Sequence, residues 1–214
     1  MRTAAATVFL AALVLSPSGK ASAETPASVV PGPKGPGLHL QVRTYDQTAL
    51  APEIRGGMRQ ATEAVLATAG IQLAWVSCDP GLEAASCPAP LGRHELALRL
   101  VRLAPTDTTG AVTLGYSLVN PTDRSGALAT IYVDRVSRLA DLSALDMPTV
   151  LGRAVAHEIG HLLLGTGGHS PAGVMRAIWS PQDLLSNRPG DWAFTPREAG
   201  QLQSALASRR TSRQ

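Results

Sequence analysis

The sequence predicts an α/β (α+β) domain: a small mixed sheet, one helix backing it, and a second helix across it that carries a metal site. Three observations predict this. Short alternating segments suited to strands are interspersed with two segments of helical spacing. One of the helical segments contains His157-Glu158-Ile159-Gly160-His161. Apolar residues make up 44% of the chain and aromatic residues 4%, enough for one mainly aliphatic core.

The chain opens with a pattern of export. Arg2 precedes an uncharged, largely apolar run from Thr3 to Leu15, Ser16 to Gly19 break it, and Ala21-Ser22-Ala23 forms a cleavage site. Residues 1–23 are therefore expected to be a signal peptide cut after Ala23, giving a secreted or periplasmic protein. The run is short of the roughly 20 apolar residues of a spanning helix, so no membrane attachment is expected after cleavage. Without Arg2 and Lys20 the chain has 17 basic and 16 acidic residues. A net charge of +1 gives no reason to expect nucleic acid as a partner. Residues 24–37, rich in Pro and Gly, read as a flexible leader. A single domain is expected over 38–209, followed by a frayed tail, 210–214.

Within the domain, Leu38 to Tyr45 alternates and reads as a strand. Pro52 to Ala69 has helical spacing through Ile54, Met58, Val65 and Leu66, and Gly70 stops it. Ile71 to Val76 is a second strand. Cys78 and Cys87 follow, separated by the turn-forming Asp79-Pro80-Gly81, and in an exported protein they are expected to form a disulfide. His94 to Leu103 is a third strand. The stretch 104–127, dense in Thr, Gly, Pro and Asp, reads as a long surface loop with a short strand near Tyr116. Ala127 to Val133 is an apolar strand, and Asp134 to Leu145 is expected to hold a helical turn. Pro148 to Leu164 is the second long helix, with Asp146 as cap. After an irregular segment, Thr195 to Ser208 forms a last helix whose cap is Thr195, with Glu198 three residues on.

The chemistry lies between 157 and 175. Residues four apart share a helix face, so His157 and His161 reach one ion, while Glu158, one position round, reaches a water on it. A catalytic zinc site has three protein ligands and one open position. A helix running on to His169 would place that residue about 12 Å further along the axis than His161. The chain must therefore turn back, and Gly165 is the expected helix stop. His169 is the expected third ligand, with Asp183, Asp191 and Glu198 as rivals.

These residues resemble the metzincin clan of zinc peptidases, whose pattern is H-E-x-x-H-x-x-G-x-x-H followed by a methionine turn. His157, Glu158 and His161 match position for position. Leu164 stands where the clan has its glycine and Gly165 follows one place late. Gly167 stands where the clan has its third histidine and His169 follows two places late. Gly173-Val174-Met175 is similar to the methionine turn, which implies that Met175 forms an apolar floor beneath the site. The segment also resembles that of uncharacterised secreted bacterial proteins with the same longer spacing. The likeness implies substrate binding as an added strand on an edge strand before the site helix, a place occupied in sequence by Ala127 to Val133; the other reading of that segment is a core strand.

The expected activity is that of a zinc (Zn2+) endopeptidase, hydrolysing peptide bonds by Glu158-assisted attack of zinc-bound water. Its partner would be a peptide or protein substrate, and the protein would be a monomer. Two other functions fit the same residues: a zinc-stabilised binding module without turnover, and a zinc hydrolase of a non-protein amide such as a cell-wall crosslink. Tyr116 or Tyr132 as an oxyanion donor, and Arg176 and Trp179 as cleft-lining groups, compete with simple packing roles.

Overall fold

The computed structural model describes residues 37–79, 81, 87–102, 113–120 and 122–211. The expected signal peptide, all of the leader but Gly37, and the last three residues of the tail lie outside them. Among the described residues, five strands build one sheet in the first part of the domain, and the helices that follow the last strand cover it.

Strand β1 (Leu38–Asp46) leads through Pro52, at the start of α1 (Pro52–Ala67), to β2 (Ile71–Ser77). β3 (Glu95–Val101), β4 (Gly115–Asn120) and β5 (Ser125–Tyr132) complete a five-stranded sheet in the order β2-β1-β3-β5-β4. All neighbours are parallel except β4, which runs antiparallel to β5. The parallel strands contribute Leu40, Val42, Leu96, Leu98, Leu100 and Ile131 to an aliphatic core. The order decides between the two readings of one segment in favour of the core strand. Ala127 to Tyr132 falls in β5 and Val133 opens the next helix; β5 is paired on both sides and so has no free edge to receive a peptide. The edges are β2 and β4, and β4, six residues long, is the short strand expected near Tyr116.

Helix α2 (Val133–Ser143) begins directly after β5 and is a full helix rather than a turn. α3 (Met147–Leu164) carries the H-E-x-x-H residues. Asp146 caps it by accepting a hydrogen bond from Thr149 N, and Gly165 ends it in the left-handed conformation, φ 63°. α1 and α3 pack together, and α3 also lies against β4 and β5. The α1–α3 approach is close at Gly152, where an added Cβ would lie 2.5 Å from Ala61 Cβ. The segment expected to be irregular holds α4 (Pro181–Ser186) and a 3-10 turn at Pro189–Trp192. α5 (Pro196–Thr211) opens with Thr195 and Glu198 in reciprocal capping bonds, as their spacing predicts. Cys78 and Cys87 are joined in a disulfide. Among the described residues no helix is long and apolar enough to cross a membrane.

Candidate metal centre

Helical spacing places His157 and His161 one turn apart on α3, with ring centroids 4.6 Å apart. The helix must end soon after if a third histidine is to approach. Gly165 ends it, and no other residue type fits: its φ is positive, and a Cβ there would lie 2.1 Å from the Arg124 carbonyl oxygen. The turn that follows brings His169 back to the helix. Its ring centroid lies 4.9 Å from that of His161 and 5.3 Å from that of His157. The ligand atoms of the three histidines all lie within 4.8 Å of one another.

The hydrogen bonds set the tautomers. His157 Nδ1 donates to the Val174 carbonyl and His161 Nδ1 to the Thr166 carbonyl, each at 2.8 Å. A carbonyl only accepts, so both Nδ1 atoms carry protons and both Nε2 atoms present lone pairs. These Nε2 atoms face each other at 3.0 Å. Burial presses the His157 pKa down to about 4, with the neighbouring His161 and His169 adding to the effect against the Val174 bond. No shared proton therefore relieves the two lone pairs at neutral pH. A cation would: tetrahedral zinc with bonds of about 2.0–2.1 Å holds two nitrogens about 3.3 Å apart, a few tenths of an ångström from the separation here. An all-imidazole donor set fits Zn2+.

Glu158 sits beside the histidines and is 7% exposed. Burial raises its pKa to about 7, opposed by a hydrogen bond from Ser117. Ser117 Oγ lies 2.6 Å from Glu158 Oε2 and 2.8 Å from the Glu158 carbonyl, so the edge strand β4 holds both the carboxylate and its own helix turn. Met175 is 1% exposed and lies beneath the site, its Sδ only 2.5 Å from where a Cβ on Gly160 would be. The absence of a side chain at Gly160 is what lets this floor close on α3. Trp179 stands edge-on to His157, with centroids 6.0 Å apart.

The rival third ligands are engaged elsewhere. Asp183 caps α4 through Ser180 and pairs with Arg176 at 3.6 Å. Glu198 accepts from Thr195 N and Oγ1 and from Ser170 Oγ. Asp191 lies in the 3-10 turn. None of the three joins the histidine cluster, and the described cysteines are in the disulfide. Tyr116 lines the cleft, its ring 6.0 Å from that of Tyr132. Sequence reasoning missed Ser117, Thr166 and Val174. The latter two act through backbone carbonyls, which leave no residue-type signature.

The fold is metzincin-like. Archaemetzincin from Methanopyrus kandleri superposes with a TM-score of 0.50 at 20% identity, over 81% of this chain and 99% of that one. Metalloproteinase-II from Bacteroides fragilis gives 0.51 at 12% identity, over 81% of this chain and 55% of that one. A zinc-dependent peptidase from Methanocorpusculum labreanum gives 0.46 at 18%, over 76% and 99%. No protein-family model and no curated protein matches the chain.

Proposed function

We propose that the protein is a zinc metalloendopeptidase, with His157, His161 and His169 as ligands and Glu158 as general base. The observation that carries the reading is the convergence of three imidazole donors beside a buried carboxylate in an open cleft. The likeness in fold to a protein described as a metalloproteinase is in keeping with it. Zn2+ bound there supplies a Lewis acid that makes water nucleophilic near neutral pH and polarises a carbonyl. The chain's own residues do the rest. Val174 and Thr166 fix the imidazoles so that their Nε2 atoms face the ion. Glu158, held by Ser117, takes the water's proton and returns it to the leaving amine. The outer edge of β4, unpaired among the described residues and lining the cleft through Tyr116 and Ser117, receives the substrate as an added strand.

Residues 24–214, loaded with zinc, should cut members of a diverse peptide library, and Glu158→Ala should not, as read by mass spectrometry. Zinc bound in both with cleavage by neither would sink the peptidase reading in favour of a binding module or a non-protein amide substrate. Export is part of the same proposal; the disulfide supports an oxidising compartment, and N-terminal sequencing of the released protein should begin at Glu24.

A further inference from the structure

Two cavities meet at His157, Glu158 and His169: one of about 720 Å³ on the β4 side and one of about 560 Å³ on the α2 side. They form one cleft past the histidines. The α2 side is walled by Arg135, Arg138, Leu139 and Leu142, whose i, i+3, i+4, i+7 spacing is a single helix face. The same helix turns Val133, Val136 and Ala140 into the core. Its acids, Asp134 and Asp141, lie about 100° round from the cleft face. Across the cavity stand Arg176, Ile178 and Trp179.

Two features of this lining are unusual. Leu142 and Ile178 are 80% and 78% exposed, the most exposed large apolar side chains among the described residues, and both belong to this cavity. Arg124 lines the β4 side, so the described lining of the whole cleft holds four arginines against one carboxylate, Glu158. Beyond residue 23 the chain is close to neutral, so the positive charge is a property of the cleft rather than of the molecule. Two of the arginines are anchored. Arg135 donates to the Thr113 carbonyl at 2.9 Å and lies over the Tyr132 ring, and Arg176 faces Asp183. Arg138 is exposed at the rim.

We propose that the cleft selects acidic peptide segments, a large apolar side chain entering between Leu142 and Ile178 while neighbouring carboxylates meet Arg138, Arg135 and Arg124. This rests on the peptidase reading of the site. A groove lined by one sign of charge raises the local concentration of the opposite sign. Each exposed ion pair contributes little and is screened by salt, so the preference comes from several arginines together and weakens as salt rises. The exposed Leu142 and Ile178 favour a peptide over an apolar-free polyanion such as a nucleic acid.

Three labelled peptides with a central leucine, flanked by Glu, Gln or Lys, test it by fluorescence anisotropy on zinc-loaded Glu158→Gln protein, with and without Arg138→Glu. The Glu-flanked peptide should bind about tenfold tighter than the Gln-flanked one at low salt, with the Lys-flanked one weakest. The margin should shrink at about 300 mM salt, and Arg138→Glu should narrow it by severalfold, with the other arginines keeping the remainder. Equal affinity for the three, an unchanged margin in Arg138→Glu, or equally tight binding of a labelled oligonucleotide overturns the proposal. Cleavage of the same peptides by the wild type reports separately on the peptidase reading. Selective binding of the acidic peptide without cleavage leaves the selectivity standing and removes the peptidase.

Discussion

At the scale of single residues, Ser117 is the group placed to orient Glu158 beside the three histidines. Its hydroxyl has one proton and two acceptors on Glu158 within reach, so it orients the carboxylate without charge of its own. Ser117→Ala should lower kcat by about 10- to 100-fold with zinc content unchanged, the usual cost of removing such a supporting bond. Ser117→Thr, which keeps the hydroxyl, should recover most of the loss. Steady-state kinetics with metal analysis decides the matter; equal kcat in Ser117→Ala would show that Glu158 orients itself. The zinc-free protein offers a second measurement. Acidification from pH 6.5 toward 4 protonates His157 first in the unfolded chain, so the folded state loses stability over that window. His161 is also lowered by burial and acts with the same sign. Glu158 acts oppositely, because between about pH 7 and 4.5 the folded state takes its proton first. The His157 and Glu158 effects offset each other. Chelated Glu158→Gln should therefore lose about 3 kcal/mol between pH 6.5 and 4, and chelated wild type markedly less, in urea titrations. Identical pH slopes for the two proteins would refute this account.

At the scale of elements, the end of α3 governs the site. A Cβ on Gly165 adds left-handed strain of roughly 1 kcal/mol and a collision with the Arg124 carbonyl, so Gly165→Ala must shift the turn. The turn supplies the Thr166 carbonyl that orients His161, and it delivers His169. The variant should bind zinc at least tenfold more weakly in chelator competition and melt earlier. Parental zinc affinity would show that the turn tolerates the change. The elements also show what was legible. His157, Glu158 and His161 were readable because a helix repeats on a local period, and His169 because a glycine stop preceded it. The short strand near Tyr116 was readable, but its place at the edge of the sheet was not. β4 follows β3 in the chain but lies beyond β5 in the sheet, and no local periodicity encodes which strands are neighbours. Its Ser117 therefore stood in a polar stretch that resembled a loop, 41 residues from the group it serves.

At the scale of the whole molecule, stability and chemistry are separable at the disulfide. Cys78–Cys87 closes a short loop after β2, and neither cysteine belongs to the histidine cluster. Beyond the loop, the buried Arg43 of β1 bonds the Ala89 and Pro90 carbonyls and pairs with Glu95, fastening the returning chain to the sheet. Replacing both cysteines with serine should cost about 2–3 kcal/mol in denaturant unfolding while leaving zinc stoichiometry unchanged. Loss of zinc in that variant would mean that the two regions fold as one cooperative unit.

The turn from Gly165 to Ser170 has a further consequence. It contributes one histidine of the cluster from outside any regular element, and Gly167, Gly168 and His169 are all exposed. Nearly all of its attachment to the body is at its two ends: the bonds around Thr166, and the bond from Ser170 N to the Met175 carbonyl. With the ion bound, His169 is a third tether at the middle; without it, the middle is the stretch a foreign protease opens first. On the proposed reading, zinc-free protein should be cut at this turn sooner than zinc-loaded protein in limited proteolysis, so that metal occupancy would set the lifetime of the molecule.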